Sequence, residues 1–147
     1  MVPVKVGVIG IGNRGWHHAR VLSLLKDADL VGVSDPDAKR GALAKDQFNC
    51  RWFADYHDML SEVEAVCIAV PTLLHHAVGL ACLEAGLHVL IEKPIAASQE
   101  EAASLSESAS RVDRLLQVGH IERFNPAFRA LTKVVASEGV VVLEARR

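Results

Sequence analysis

The chain has 147 residues, half of them hydrophobic and only 5% aromatic, with a formal net charge of −2. That length suits one well-buried domain, and the composition suits a Val/Ile/Leu/Ala-rich α/β core better than a β-sandwich. The near-neutral balance gives no basic face, which argues against nucleic acid or an anionic membrane as partner.

In chain order, "VKVGVIGIG" (Val4 to Gly12) is a β-branched run that ends in glycines, as a strand buried on both faces does. A helix is expected from about Arg14 to Lys26, with Val21, Leu22 and Leu25 on its apolar face. "DLVGVSD" is a second strand, and "PDAKRGALAKDQF" a second helix with proline in its first turn. "CRWF" reads as a short third strand and "DYHDMLSE" as a short helix. "EAVCIAV" is a fourth strand, followed by the helix "TLLHHAVGLACLEAG", which Gly86 stops. "HVLIE" is the fifth strand. "SQEEAASLSESASR" is a helix opened by a capping box, Ser98 with Glu101 three residues on. "RLLQVG" is a sixth strand, and "NPAFRALTKVVASEG" a helix with Asn125 as cap and Pro126 at its first position. The terminal "VVVLEARR" reads as the start of one more strand.

Apolar strands alternating with helices specify a doubly wound parallel sheet, the Rossmann type of α/β fold. Its ligand crevice lies outside the carboxyl ends of the strands. The informative residues are therefore Gly10 to Gly15, Asp35, Pro71 to His75, Glu92 to Pro94 and Gly119 to Arg123. No stretch approaches the roughly 18 apolar residues that span a bilayer. The first apolar run is broken by Lys5 and flows into glycines, unlike a signal peptide. Cys50, Cys67 and Cys82 form no CxxC pair, and Cys67 and Cys82 lie in apolar runs, so they read as small core residues of a cytoplasmic protein.

"GIGNRG" (Gly10, Gly12, Asn13, Arg14, Gly15) fits G-x-G-x-x-G between a strand and a helix. Gly10 permits the turn, Gly12 admits a pyrophosphate to the backbone, and Gly15 lets the helix pack on the strand. The amides of the helix N-terminus then face the phosphates. Asp35 ends the second strand about 20 residues later, where the dinucleotide fingerprint expects an acid on the ribose diol. Standing before Pro36, it has the alternative of capping the next helix. A carboxylate there repels a 2′-phosphate and selects NAD over NADP, while Lys39 and Arg40 act in the opposite sense. His17 and His18 are adjacent on a helix, point in different directions, and make no metal site.

The fingerprint, "VPTLLHH" after the fourth strand, "EKPIA" after the fifth and "VGHIERFNPAF" after the sixth together resemble the Gfo/Idh/MocA oxidoreductases. The phrase "GHIERFNP" looks most like the branch that acts on nucleotide-linked amino sugars. This resemblance covers the chain from Val4 onward. It implies an NAD-dependent oxidoreductase that takes hydride from a hydroxyl-bearing carbon of a sugar or sugar nucleotide. It also implies that Lys93 of the Glu-Lys-Pro step is catalytic and reaches the substrate hydroxyl. Glu92 is then placed near the nicotinamide ribose, with a cis bond before Pro94. Thr72 and His75 line the cofactor in this reading, Thr72 having helix capping as its alternative. Arg123, with His120, lies where the family has cofactor and substrate contacts.

The resemblance further implies a division into residues 1–124, the dinucleotide-binding domain, and 125–147, a linking helix and first strand of a second α/β domain. That domain supplies a histidine and most of the sugar pocket. The chain alone is accordingly expected to be an inactive piece of a larger enzyme, and the full-length form a homo-oligomer. A catalytically silent NAD-binding sensor or interaction module is the alternative. A methyltransferase built on the same glycine loop leaves Glu92 to Pro94 unexplained.

Overall fold

Runs of β-branched residues with no polar alternation form strands only where both faces are covered, and that requirement is met here. In the computed structural model, which describes residues 2–137, six parallel strands make one sheet: β1 (Val4–Ile9), β2 (Ala28–Ser34), β3 (Arg51–Phe53), β4 (Ala65–Ile68), β5 (His88–Ile91) and β6 (Leu116–Val118). Their order is β3-β2-β1-β4-β5-β6. The chain thus winds outward from β1 to β3, returns to the middle at β4, and winds outward again. The switch lies between β1 and β4, which run in register from Val6 opposite Ala65 to Ile9 opposite Ile68.

Among the described residues five α-helices accompany the sheet: α1 (Asn13–Leu22), α2 (Ala38–Phe48), α3 (His75–Glu84), α4 (Gln99–Arg111) and α5 (Pro126–Ser137). Alternate residues of the central strands feed two separate cores. Val8 of β1 and Cys67 of β4 pack with Ala19 of α1 and Ala44 of α2. Ile9, Val66, Ile68, Val89 and Ile91 point the other way, onto Val78, Cys82 and Leu83 of α3 and Leu105 of α4. Burial pushes the Cys67 thiol up to about 11 and the Cys82 thiol up to about 12, so both act as small apolar residues.

Three local expectations are corrected. Helix α1 ends at Leu22, not near Lys26, and Val21 and Leu25 are 47% and 52% exposed. The buried positions are the small residues Gly15 and Ala19, with Trp16 and Leu22 beside them. Small side chains one turn apart let α1 lie close on β1, and Val21 and Leu25 are left outside. Pro36 precedes the second helix instead of opening it. Asp37 is the cap, its carboxylate accepting from the Lys39 and Arg40 N–H groups at 2.9 and 3.2 Å. "DYHDMLSE" forms a 3₁₀ turn over Tyr56–Glu62, tighter than an α-helix.

Other end signals act as the sequence suggests. Gly86, with φ of +80°, follows the last turn of α3 in the left-handed conformation. The Ser98 hydroxyl accepts from Glu101 N–H, while the Glu101 carboxylate reaches back to Ala97 N–H at 3.0 Å. Asn125 Oδ1 accepts from Ala127 N–H at 3.0 Å. Among the described residues no helix is long and apolar enough to cross a membrane. The strand expected from residue 140 onward lies outside the described residues.

Leu105 is fully buried between α4 and α3, where its Cδ2 atom would crowd any Cβ at Gly79. Leu105→Ala is expected to cost about 3 kcal/mol in urea denaturation with an unchanged slope, as a partly collapsing core cavity does.

Candidate active site

The turn after β1 is built around its glycines. Gly10 has φ of +88°, and a Cβ there would press to 2.9 Å on the backbone of Ala69 and Val70 at the end of β4. A Cβ on Gly15 would lie inside the contact distance of the Gly10 carbonyl oxygen, so only glycine lets α1 sit this close. At Gly12 the opposite holds, since a Cβ would meet nothing within 4 Å. The open space lies at the N-cap of α1, whose first turn carries no acidic residue. Free amides and a positive helix end facing open space suit an anionic diphosphate. These residues therefore fit a dinucleotide.

Asp35 follows β2 at the same edge of the sheet and is only 6% exposed. One carboxylate oxygen accepts from Ile11 N–H at 2.7 Å, and the other from Asp37 N–H at 2.9 Å. The second helix is capped by Asp37, which removes the capping alternative for Asp35. Two carboxylate oxygens offer about four acceptor positions, so these bonds leave capacity for a further donor. A cleft of about 540 Å³ brings together Gly10, Gly12, Asn13, Arg14, Asp35 and Arg40, with Val70, Pro71 and Leu74 as its apolar wall.

A second cavity, of about 260 Å³, is lined by Arg14, Lys93, His120, Ile121, Glu122, Arg123 and Phe128. Arg14 faces both spaces and joins them. The Lys93–Pro94 peptide is cis, and the Lys93 side chain is exposed. Glu92 stands just behind it. Its Oε1 lies 2.8 Å from His18 Nε2 and its Oε2 accepts from Lys93 N–H at 3.3 Å. Burial pushes this carboxyl up, but the His18 bond, the Lys93 amide and the charges of His18 and Arg14 together hold it below the usual carboxylate range.

A larger opening, of about 770 Å³, lies at the amino ends of the strands and includes Lys5, Asp29 and Arg51. Size alone does not make it the site. It has no glycine loop or helix N-terminus, and its Arg51 is already paired with Glu62.

Residues 4–120 match the family described as Oxidoreductase family, NAD-binding Rossmann fold (Gfo/Idh/MocA). The chain belongs to this family. It is 39% identical over 131 residues to UDP-N-acetylglucosamine 3-dehydrogenase of Acidithiobacillus ferrooxidans, covering 89% of this chain and 41% of that protein. It is 38% identical over 138 residues to inositol 2-dehydrogenase of Leifsonia xyli subsp. xyli, covering 91% and 41%. The solved structure of the Acidithiobacillus ferrooxidans enzyme superposes with a TM-score of 0.85 at 38% identity, over 91% of this chain and 44% of that one. Scyllo-inositol dehydrogenase from Lactobacillus casei, solved with NAD(H) and scyllo-inositol, gives a TM-score of 0.87 at 26% identity, over 95% and 42%. The chain thus spans about two-fifths of the length of the curated relatives it matches.

Within this Gfo/Idh/MocA domain, two expected contacts are placed differently. His75 is 1% exposed, with Nδ1 2.8 Å from the Pro94 carbonyl and Nε2 2.9 Å from the Val70 carbonyl. It sits behind the cleft wall, joining the loop after β4 to the Glu-Lys-Pro step, and does not line the cleft. Thr72 opens a short 3₁₀ turn, Thr72–Leu74, and its side chain caps neither that turn nor α3. Its neighbours Pro71 and Leu74 line the cleft. The residue that sequence reasoning missed is His18. Its signal was the i, i+4 spacing from Arg14, which puts both on one face of α1.

The two glycines of the loop make opposite demands. Gly15→Ala is expected to lower stability by about 3 kcal/mol or to abolish folding, because backbone must move to admit the methyl. Gly12→Ala is expected to leave the melting temperature nearly unchanged while weakening dinucleotide binding. Thermal melts of the two variants with and without NAD check both.

Proposed function

We propose that this chain is the cofactor-binding half of an NAD-dependent dehydrogenase that oxidises a ring hydroxyl of a sugar or sugar nucleotide. The observation that carries this reading is the continuity of the crevice. The glycine loop and Asp35 open on one side of Arg14, and Lys93 and Arg123 on the other. The names of the related dehydrogenases support the substrate class.

In this reading the backbone N–H groups at Gly12 and Asn13 hold the pyrophosphate, with Gly10 and Gly15 setting the turn. Asp35 accepts from the adenosine ribose diol. Glu92 accepts from the nicotinamide ribose, and Arg14 and Arg123 flank the substrate end. NAD, when bound, supplies the hydride acceptor. The Lys93 ammonium hydrogen-bonds the substrate hydroxyl and stabilises negative charge on that oxygen as its proton passes to the histidine that this reading assigns to the substrate domain. The apolar wall of Val70, Pro71 and Leu74 gives the bound dinucleotide a nonpolar surface to pack against.

The same reading divides the chain at residue 124, with residues 125–147 leading toward a substrate domain. The exposed apolar side chains Phe128 and Leu131 on α5 support that division. It also places the protein in the cytoplasm, as a homo-oligomer in full-length form, with a small-molecule substrate in preference to nucleic acid.

Cofactor choice follows from charge. Asp35 presents an anion where a 2′-phosphate would sit, and the nearby Arg40 Nε lies 3.4 Å from Asp37 Oδ2, which already balances it. NAD is expected to bind at least about tenfold more tightly than NADP, the size of effect that one charged contact gives. Calorimetric titration of the chain with each cofactor checks this, and equal or tighter binding of NADP overturns it.

A further inference from the structure

We propose that His18 is a positioning residue for the nicotinamide half of the cofactor and for Lys93, acting through Glu92. The inference rests on the cofactor reading above and concerns a side chain to which that reading gives no role. Helix α1 begins at the glycine loop, and positions 14 and 18 lie one turn apart on the same face. That face is directed at the exit of β5. Arg14 lines the cavity that contains Lys93, and His18 Nε2 lies 2.8 Å from Glu92 Oε1. The other oxygen of Glu92 accepts the backbone N–H of Lys93. The carboxylate is therefore held from two sides, by a helix whose first turn faces the phosphate site and by the backbone of the catalytic lysine.

Two further observations distinguish this pair from an ordinary surface ion pair, which holds little. The side chains of His18 and Glu92 are only 22% and 12% exposed. From the third side, Gly119 at the end of β6 leaves the room the carboxylate needs, since a Cβ there would stand 3.2 Å from Glu92 Oε1. Three elements, α1, β5 and β6, thus converge on one carboxylate beside the lysine. The bond to His18 selects one orientation of Glu92, with an acceptor lone pair left for a ribose hydroxyl. Because α1 is a rigid helix, the same element that sets the phosphate position also sets Glu92. The glycine loop and the Glu-Lys-Pro step are in this way registered to each other.

The test is titration of the 147-residue chain with NAD and with ADP, which ends at the pyrophosphate and lacks the nicotinamide half. His18→Ala is expected to weaken NAD about tenfold while ADP affinity stays within about twofold, the loss of one shielded, charge-assisted hydrogen bond. His18→Gln, whose amide N–H takes the place of Nε2, is expected to recover most of the NAD affinity. Unchanged NAD affinity in His18→Ala overturns the proposal, and so does an equal loss of NAD and ADP, which marks a general loosening of the loop. Failure of His18→Gln to restore NAD binding likewise overturns it. If the unsubstituted chain binds ADP and NAD equally well, the nicotinamide half makes no contact and the proposal falls with the ribose role of Glu92. If it binds neither, the cofactor reading itself fails.

Discussion

The hydrogen bond from Ile11 N–H to the Asp35 carboxylate, 2.7 Å long and shielded from water, is the constraint on which the crevice depends. It joins the turn after β1 to the turn after β2, residues 24 apart in sequence. A buried carboxylate must be satisfied by donors. Here its second oxygen takes Asp37 N–H, which places Asp37 to cap α2. One acid therefore shapes the glycine loop and starts the next helix. Any hydroxyl pair it also binds would be read by a group that cannot move without disturbing the glycine loop.

From that point the geometry propagates along α1. Gly15 brings the helix onto the Gly10 carbonyl, and Ala19 continues the close contact one turn later. The helix then projects Arg14 and His18 across the switch between β1 and β4 to the end of β5. His75 performs a similar linking task from the other face, tying the Val70 and Pro94 carbonyls together. The Glu-Lys-Pro step is consequently held by both helical layers of the sheet. At the end of this buried strand Glu92 is engaged inward, and Lys93 is left to face the crevice.

Much of this was legible in the residues. Uninterrupted Val/Ile runs specify strands covered on both faces, and their alternation with helices specifies a parallel sheet with helices on both sides. The need for glycine at positions 10 and 15 follows from the G-x-G-x-x-G spacing between strand and helix, although the backbone that crowds Gly10 is that of Ala69 and Val70, far along the chain. Less legible were roles that depend on partners far along the chain. Asp35 looked like a helix cap or a ribose acceptor, and nothing local shows that Ile11 N–H comes to it. His18 looked idle because its partner is 74 residues away, and His75 looked like a cleft residue because its acceptors are backbone carbonyls. The early end of α1 was missed for a related reason. Val21 and Leu25 have the right spacing for an apolar face, but the sheet is approached by the small face of the helix instead.

The carboxyl ends of β1, β2, β4 and β5 border two spaces linked through Arg14, which we propose act as one dinucleotide crevice. Amide chemical-shift mapping of the chain during NAD addition tests it most directly. The largest changes are expected at Ile11 to Arg14, Asp35, Val70 and Glu92–Lys93, moving together with one dissociation constant. Changes centred instead on Lys5, Asp29 and Arg51, around the larger opening at the amino ends of the strands, would contradict it.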